Sequence, residues 1–275
     1  MSSDPVSASS TSRTALVRAC HPGPTLAVTV LVALLSVALG LAVTRGLLVT
    51  AAVFTGQLTI GWSNDLIDAA RDRAVARDDK PLARGELSED LVRKAIGLAA
   101  ALCVVLSLAC GWRSAAVHLL LGVASGWAYN LGLKRTAWSA LPYAVAFGVL
   151  PGVVSLAGPD RAWPPAWMMV TGAVLGVGAH LLNALPDLAD DDATGVRGLP
   201  QRLGAGRVRV LAPVVLLLGS VVATFGPGGG VPVGAWVGLG ACVALAVVAL
   251  LGRGKAPFVA AIGIALVDVA VLVLR

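Results

Sequence analysis

Twelve of the chain's 15 acidic residues fall in two short segments. The first holds Asp65, Asp68, Asp72, Asp78, Asp79, Glu86, Glu89 and Asp90, the second Asp187, Asp190, Asp191 and Asp192. Asn64, Asp68 and Asp72 are four residues apart, and Asp65, Asp68 and Asp72 follow at steps of three and four. On a helix such residues share one face. Asn183, Asp187 and Asp191 repeat the four-residue step, with His180 one turn earlier. Carboxylates stacked this closely repel one another unless a cation lies between them. Oxygen donors, one or two per ion, suit Mg²⁺ that also coordinates phosphate oxygens. Two facing clusters would then hold two or more ions around a diphosphate. Arg71, Arg73, Arg77, Lys80 and Arg84 accompany the first cluster, Arg197 and Arg202 the second, and Lys134 and Arg135 lie between them in the chain. Metal plus lysine or arginine is a clamp that stabilises a departing polyanion. A solvated acidic helix end would explain one cluster; two with the same step ask for a shared ligand.

The elements that carry these residues must lie in lipid. Of 275 residues, 57% are hydrophobic and only 13% charged, against about 25% charged in soluble domains. The fold class is therefore all-α and polytopic, and disordered, collagen-like and disulfide-scaffold classes are excluded. Apolar runs near the ~20 residues that cross a bilayer predict nine transmembrane helices. They are Leu26–Val43, Leu47–Trp62, Ala95–Cys110, Ala115–Leu131, Trp138–Ala157, Pro165–Leu185, Val210–Phe225, Val233–Leu251 and Pro257–Leu274. The second is short, and its helix is free to continue into the acidic segment. With the N-terminus in the cytoplasm, 17 of the 21 Lys/Arg are inside and four (Arg45, Arg113, Arg161, Arg275) outside, the bias that sets orientation. Both acidic segments then face the cytoplasm. Residues 1–22 are expected to be a disordered cytoplasmic tail, and 23–275 one transmembrane domain. The four cysteines form no C-x-x-C pair and no zinc-like spacing.

At the acidic segments the chain resembles a known family. Asn64-Asp65-Leu66-Ile67-Asp68-Ala69-Ala70-Arg71-Asp72 is similar to the N-D-x-x-D-x-x-x-D motif of the UbiA superfamily of intramembrane prenyltransferases. Lys80-Pro81-Leu82-Ala83-Arg84-Gly85 resembles its R-P-L-x-x-G tail, with Lys where Arg is usual. Tyr129 to Lys134-Arg135 resembles its Tyr…Lys-Arg element. Asp187-x-x-x-Asp191, followed by Gly195-Val196-Arg197-Gly198-Leu199-Pro200-Gln201-Arg202-Leu203-Gly204, is similar to its second D-x-x-x-D motif and trailer, with Gly198 where Thr is usual. The resemblance implies a UbiA-like bundle around a central chamber. It also implies Mg²⁺-dependent transfer of an isoprenyl group from a prenyl diphosphate to a lipid-soluble acceptor, most often an aromatic or quinone precursor. Carried over residue by residue, Asn64, Asp65, Asp68, Asp72, Asp187 and Asp191 would hold metal, and the four-residue step adds Asn183. Asn64, Lys80, Arg84, Lys134 and Arg197 would bind diphosphate. Asp68, Asp72, Asp187, Asp191, Lys134 and Tyr129 would be catalytic. The expected location is the cell membrane, with the site facing the cytoplasm. Membrane lipids are the surroundings; no nucleic acid or obligate protein partner is indicated.

Other readings stay open at this level. A membrane terpene cyclase would ionise the same donor and close it on itself, and phosphoribosyl transfer and glycerol-ether synthesis use related scaffolds. A cation-binding transporter would place charges near the bilayer midplane, whereas these acids lie at helix ends. His180 either orients a ligand, acts as a base, or makes an interhelical hydrogen bond. His118 reads as structural, and Asp268 as an intramembrane acid that pairs locally or reaches water. Trp127 and Tyr129 are candidate cavity walls; Trp112, Trp163 and Trp167 fit an outer interfacial belt. Gly176-x-Gly178 is a helix-packing site, since no strand precedes it.

Overall fold

The computed structural model describes residues 5–188 and 195–273. Among them there is no strand. Helices run in the order α1 Pro5–Ala19, α2 Pro22–Ala38, α3 Val43–Ala74, α4 Glu89–Ala109, α5 Trp112–Val117, α6 Ala124–Leu131, α7 Leu141–Ala157 and α8 Ala166–Ala184. Then follow the short α9 Leu199–Leu203, α10 Ala205–Phe225, α11 Val233–Leu251 and α12 Ala256–Val273. A π-helical stretch, His118–Val123, joins α5 to α6 without a break in the helix.

Six of these helices (α3, α4, α8, α10, α11 and α12) are long and apolar enough to cross a membrane. The tail of α1 and all of α2 meet at a 65° bend, and together they make a seventh candidate; α7 is apolar but shorter. Outward faces are apolar where lipid is expected. On α4, Leu98, Leu102 and Val105 are exposed at helical spacing. Among the described residues three apolar clusters are buried, one around Val32, Val49 and Val153, one around Leu182, Leu216 and Ile264, and one around Trp62, Leu82 and Val92.

Two local features position the site. α3 runs for 32 residues, well past the predicted Leu47–Trp62 span, so the helix carries the whole acidic motif. Ser88 caps α4 by accepting the Leu91 N–H at 3.2 Å, and Glu89 and Asp90 occupy its first turn, where acid suits the helix dipole.

Within residues 1–22, Pro5–Ala19 form the helix α1. Its end packs on α3: Trp62 Nε1 donates to the Leu16 carbonyl at 2.9 Å, and Ala15 and Ala19 are buried beside Trp62 and Leu82. Gly61 makes this possible, since a Cβ there would collide with the Cys20 carbonyl. The turn between α1 and α2 is held by His21 in the left-handed region, φ 56°. That turn brings His21 to the acidic end of α3.

Candidate active site

Helices α2, α3, α6, α7, α8 and α12 surround a chamber of about 380 Å³. Its apolar side is made by residues such as Val28, Leu31, Phe147, Leu175 and Leu266. Its other side carries Asn64, Asp68, Asp72, Lys80 and Lys134. One cavity thus joins a charged mouth to an apolar interior.

At the mouth the carboxylates are buried and already paired. Lys134 Nζ donates to both oxygens of Asp68, at 2.7 and 2.6 Å, and Arg71 lies 3.2 Å from the same carboxylate and 3.4 Å from Asp72. Burial pulls the Lys134 pKa below its ordinary value, and the adjoining Asp68 charge opposes that. Asn64 is oriented by its amide donating to Asn130 Oδ1 at 3.1 Å; Asn130 in turn donates to the Ile60 carbonyl and to Ser63, each at 2.9 Å. Asp65 turns aside. It accepts from Lys80 Nζ at 2.6 Å and meets His21 Nε2 at 2.8 Å, with Lys80 and His21 3.1 Å apart. Asp65 is absent from the chamber lining. At the rim Arg77 donates twice to Asp79, at 2.9 and 3.0 Å, and these hydrogen bonds hold its carboxyl down to about 2.

Across the chamber lie Asn183, His180, Tyr129 and Tyr143. Asn183 donates to the Tyr143 hydroxyl at 3.3 Å. The Tyr143 ring is 4.8 Å from His180 and 5.3 Å from Tyr129, and stacks on Phe147 at 6.2 Å. α7 and α8 approach closely here because Gly176 faces α7: a Cβ on it would stand 2.6 Å from the Tyr143 carbonyl. Gly178 lies against Leu216 instead, so both glycines serve packing.

The residues present suit a hard divalent cation by donor chemistry. Asn64, Asp68, Asp72 and Asn183 offer only oxygen ligands of the kind Mg²⁺ takes. Among the described residues no group of three or more acidic, histidine or cysteine side chains is placed to hold a metal ion by itself. The Asp187 side chain and Asp191 lie outside the described residues, as do Asp190 and Asp192.

Of the other residues expected at the site, Lys80, Lys134 and Tyr129 line the chamber, while Arg84 and Arg197 do not. Arg84 pairs with Glu86 at 2.9 Å. Trp127 donates to Thr59 at 3.3 Å and is not part of the wall. Trp112 and Trp163 are exposed, but Trp167 departs from the expected outer belt by packing into the interior. His118 contacts Ser107 at 2.8 Å in a buried pair. Asp268 pairs locally, accepting from Ser220 at 2.9 Å and Cys242 at 3.5 Å. Sequence reasoning missed His21, Asn130 and Tyr143. Asn130 adjoins Tyr129 in the quoted motif, whereas His21 and Tyr143 carry no local signal.

The likeness to known proteins is one of family and fold. The family model described as the UbiA prenyltransferase family matches residues 24–262. No curated protein sequence matches the chain. Among solved structures, a UbiA homologue from Aeropyrum pernix K1 aligns with TM-score 0.74 at 16% identity, over 92% of this chain and 98% of that one. A UbiA homologue from Archaeoglobus fulgidus, bound to DMAPP and Mg²⁺, aligns with TM-score 0.70 at 15% identity, over 94% and 99%. A digeranylgeranylglyceryl phosphate synthase structure aligns with TM-score 0.65 at 15% identity, over 96% of each chain.

Proposed function

The chain belongs to the UbiA prenyltransferase family, and from that premise we propose that it transfers an isoprenyl group from a prenyl diphosphate to an aromatic or quinone-precursor acceptor, releasing diphosphate. The observation that carries this reading is the continuity of one chamber from Asn64, Asp68, Asp72 and Lys134 to an apolar interior. An amphiphile with a diphosphate head and a hydrocarbon tail matches both ends. The A. fulgidus homologue bound to DMAPP and Mg²⁺ supports the donor class and the cation. The same homologue bound to GPP and Mg²⁺ extends the support to a longer donor.

In this reading Asn64, Asp68, Asp72, Asn183, Asp187 and Asp191 hold Mg²⁺, with Asp65 in a supporting place that keeps Lys80 at the mouth. Bound there, Mg²⁺ supplies charge neutralisation of the departing diphosphate. Lys134 and Lys80 direct ammonium groups to the same oxygens, and Arg84 and Arg197 join the clamp on the strength of their motif positions. As the C1–O bond breaks, the leaving oxygen gathers negative charge and is stabilised by these fixed cations. The allylic carbon gathers positive charge, which the Tyr129 ring face stabilises. The apolar walls limit water, so the nearby acceptor, rather than hydroxide, captures that carbon. The acceptor's displaced proton leaves with solvent at the mouth.

The proposed topology is nine spans with the N-terminus and the site in the cytoplasm, in the cell membrane. α2, α3, α4, the joined α5–α6 helix, α7, α8, α10, α11 and α12 supply nine apolar helical units, and the 17-to-4 distribution of Lys/Arg supplies the orientation. Product analysis tests the reaction. The purified chain in nanodiscs is given Mg²⁺, radiolabelled geranyl, farnesyl or geranylgeranyl diphosphate, and a panel of hydroxyaromatic acceptors. Label moving into a prenylated aromatic product supports transfer. Label in a cyclic hydrocarbon or alcohol, independent of acceptor, replaces the reading with a terpene cyclase.

A further inference from the structure

Prenyl transfer needs a place for the acceptor, and one polar group lining the chamber, His180, has a ring nitrogen left over by the contacts of the described residues. His180 is 1% exposed and lines the chamber, and its Nδ1 has no hydrogen-bond partner among the described residues. Its other nitrogen, Nε2, lies 3.0 Å from the Ser139 hydroxyl. Ser139 is wholly buried and its oxygen accepts the Leu199 N–H at 2.8 Å. A buried hydroxyl must also place its own hydrogen. Among the described residues, the acceptor it faces is His180 Nε2. The hydroxyl therefore donates to Nε2, and the neutral imidazole carries its proton on Nδ1. The outcome is a buried N–H donor without an acceptor among the described residues.

A second donor adjoins it. The Tyr143 oxygen takes a hydrogen bond from Asn183 at 3.3 Å and keeps its own hydrogen to give. The Tyr143 ring stands 4.8 Å from His180 and stacks on Phe147, which offers a flat apolar surface beside the two donors. Two donors next to an aromatic surface fit a planar ring bearing an oxygen that accepts hydrogen bonds. They fit a bare hydrocarbon poorly, because that would leave both donors desolvated and unpaired.

We propose that His180 Nδ1–H, with Tyr143, is the docking point of the prenyl acceptor, and that the acceptor presents a carbonyl or phenolate oxygen there on a planar ring. The inference rests on the prenyl-transfer reading and deepens it: His180 positions the acceptor by donating a hydrogen bond, and does not act as its base.

The test separates donation from proton abstraction by using a ligand that has no acidic hydrogen. The whole chain in nanodiscs, loaded with Mg²⁺ and a thio-bridged geranyl diphosphate analogue that does not ionise, is titrated calorimetrically with 1,4-naphthoquinone and with naphthalene. The expected result is quinone binding about tenfold tighter than naphthalene, the scale of a neutral hydrogen bond gained. His180→Leu narrows the difference between the two affinities to what Tyr143 alone supplies and leaves the analogue's affinity unchanged. His180→Gln keeps most of the preference, because its carbonyl takes the Ser139 hydrogen while its N–H faces the chamber. Ser139→Ala frees the imidazole to change tautomer and moves the preference from naphthoquinone to 1-naphthol. Equal quinone and naphthalene binding in the wild type overturns the inference, as does a preference undiminished by His180→Leu. Loss of the analogue in a folded His180→Leu also overturns it, by assigning Nδ1–H to the diphosphate. An analogue that fails to bind the wild type sinks the prenyl-transfer reading itself, and this inference with it.

Discussion

Lys134 occupies both oxygens of Asp68 at 2.7 and 2.6 Å, so a cation arriving at that carboxylate must displace an ammonium group already there. Lys134→Met removes the competitor. It is expected to lower the thermal midpoint in Mg²⁺-free detergent, since removing one partner of a buried pair costs about 3 kcal/mol. It is also expected to raise Mg²⁺ affinity, and to lower turnover at least about 100-fold through loss of a donor to the leaving oxygen. Thermal unfolding with and without Mg²⁺, beside product formation, checks all three; a variant that binds Mg²⁺ more weakly contradicts the competition. The stacking of Asn64, Asp68 and Asp72 was legible from their spacing, because a four-residue step keeps side chains on one face. The different place of Asp65 was not. It lies about 60° round the helix from Asp68, and what draws it away is His21, 44 residues earlier, with Lys80. The expected ligands Asp187 and Asp191 have no described side chains against which to compare the expectation.

The elements matter by how closely they approach. Gly61 admits the Cys20 carbonyl, and so lets the α1–α2 turn deliver His21 to Asp65 and Lys80. Gly61→Val is expected to push that turn off α3, costing roughly 1–3 kcal/mol by overpacking. Donor affinity should weaken while acceptor affinity at saturating donor changes little; thermal unfolding and donor titration report both, and unchanged donor binding would detach α1 from the site. The long apolar helices were legible: Val233–Leu251 was placed at its observed bounds, and α12 was placed within one residue of them. Composition hid α1, since a Ser/Thr-rich stretch has little apolar periodicity of its own and is ordered here by its partner, Trp62. Tyr143 was equally hidden, because only the folding of α7 onto α8 brings it to His180.

At the scale of the whole molecule, the chamber has a second apolar compartment of about 70 Å³ behind it. Leu31, Phe147, Leu175 and Ala265 belong to the walls of both. Phe147→Ala should join the compartments and shift donor preference toward a chain one isoprene unit longer, read as the ratio of products from mixed geranyl and farnesyl diphosphates; an unchanged ratio places the tail elsewhere. Orientation is tested by single cysteines, because all four native thiols are buried. Asp160→Cys should react with a membrane-impermeant maleimide from outside, and Asp90→Cys only after permeabilisation; the reverse pattern would invert the topology. The central claim is that the acidic face of α3, with a divalent cation, releases diphosphate from a prenyl donor, and the most direct measurement is diphosphate release from geranyl diphosphate with acceptor present. The account predicts release that requires Mg²⁺, stops with EDTA, and falls at least about 1,000-fold in Asp68→Asn, the scale of removing a principal electrostatic contact. Release that persists in EDTA or in Asp68→Asn would contradict it.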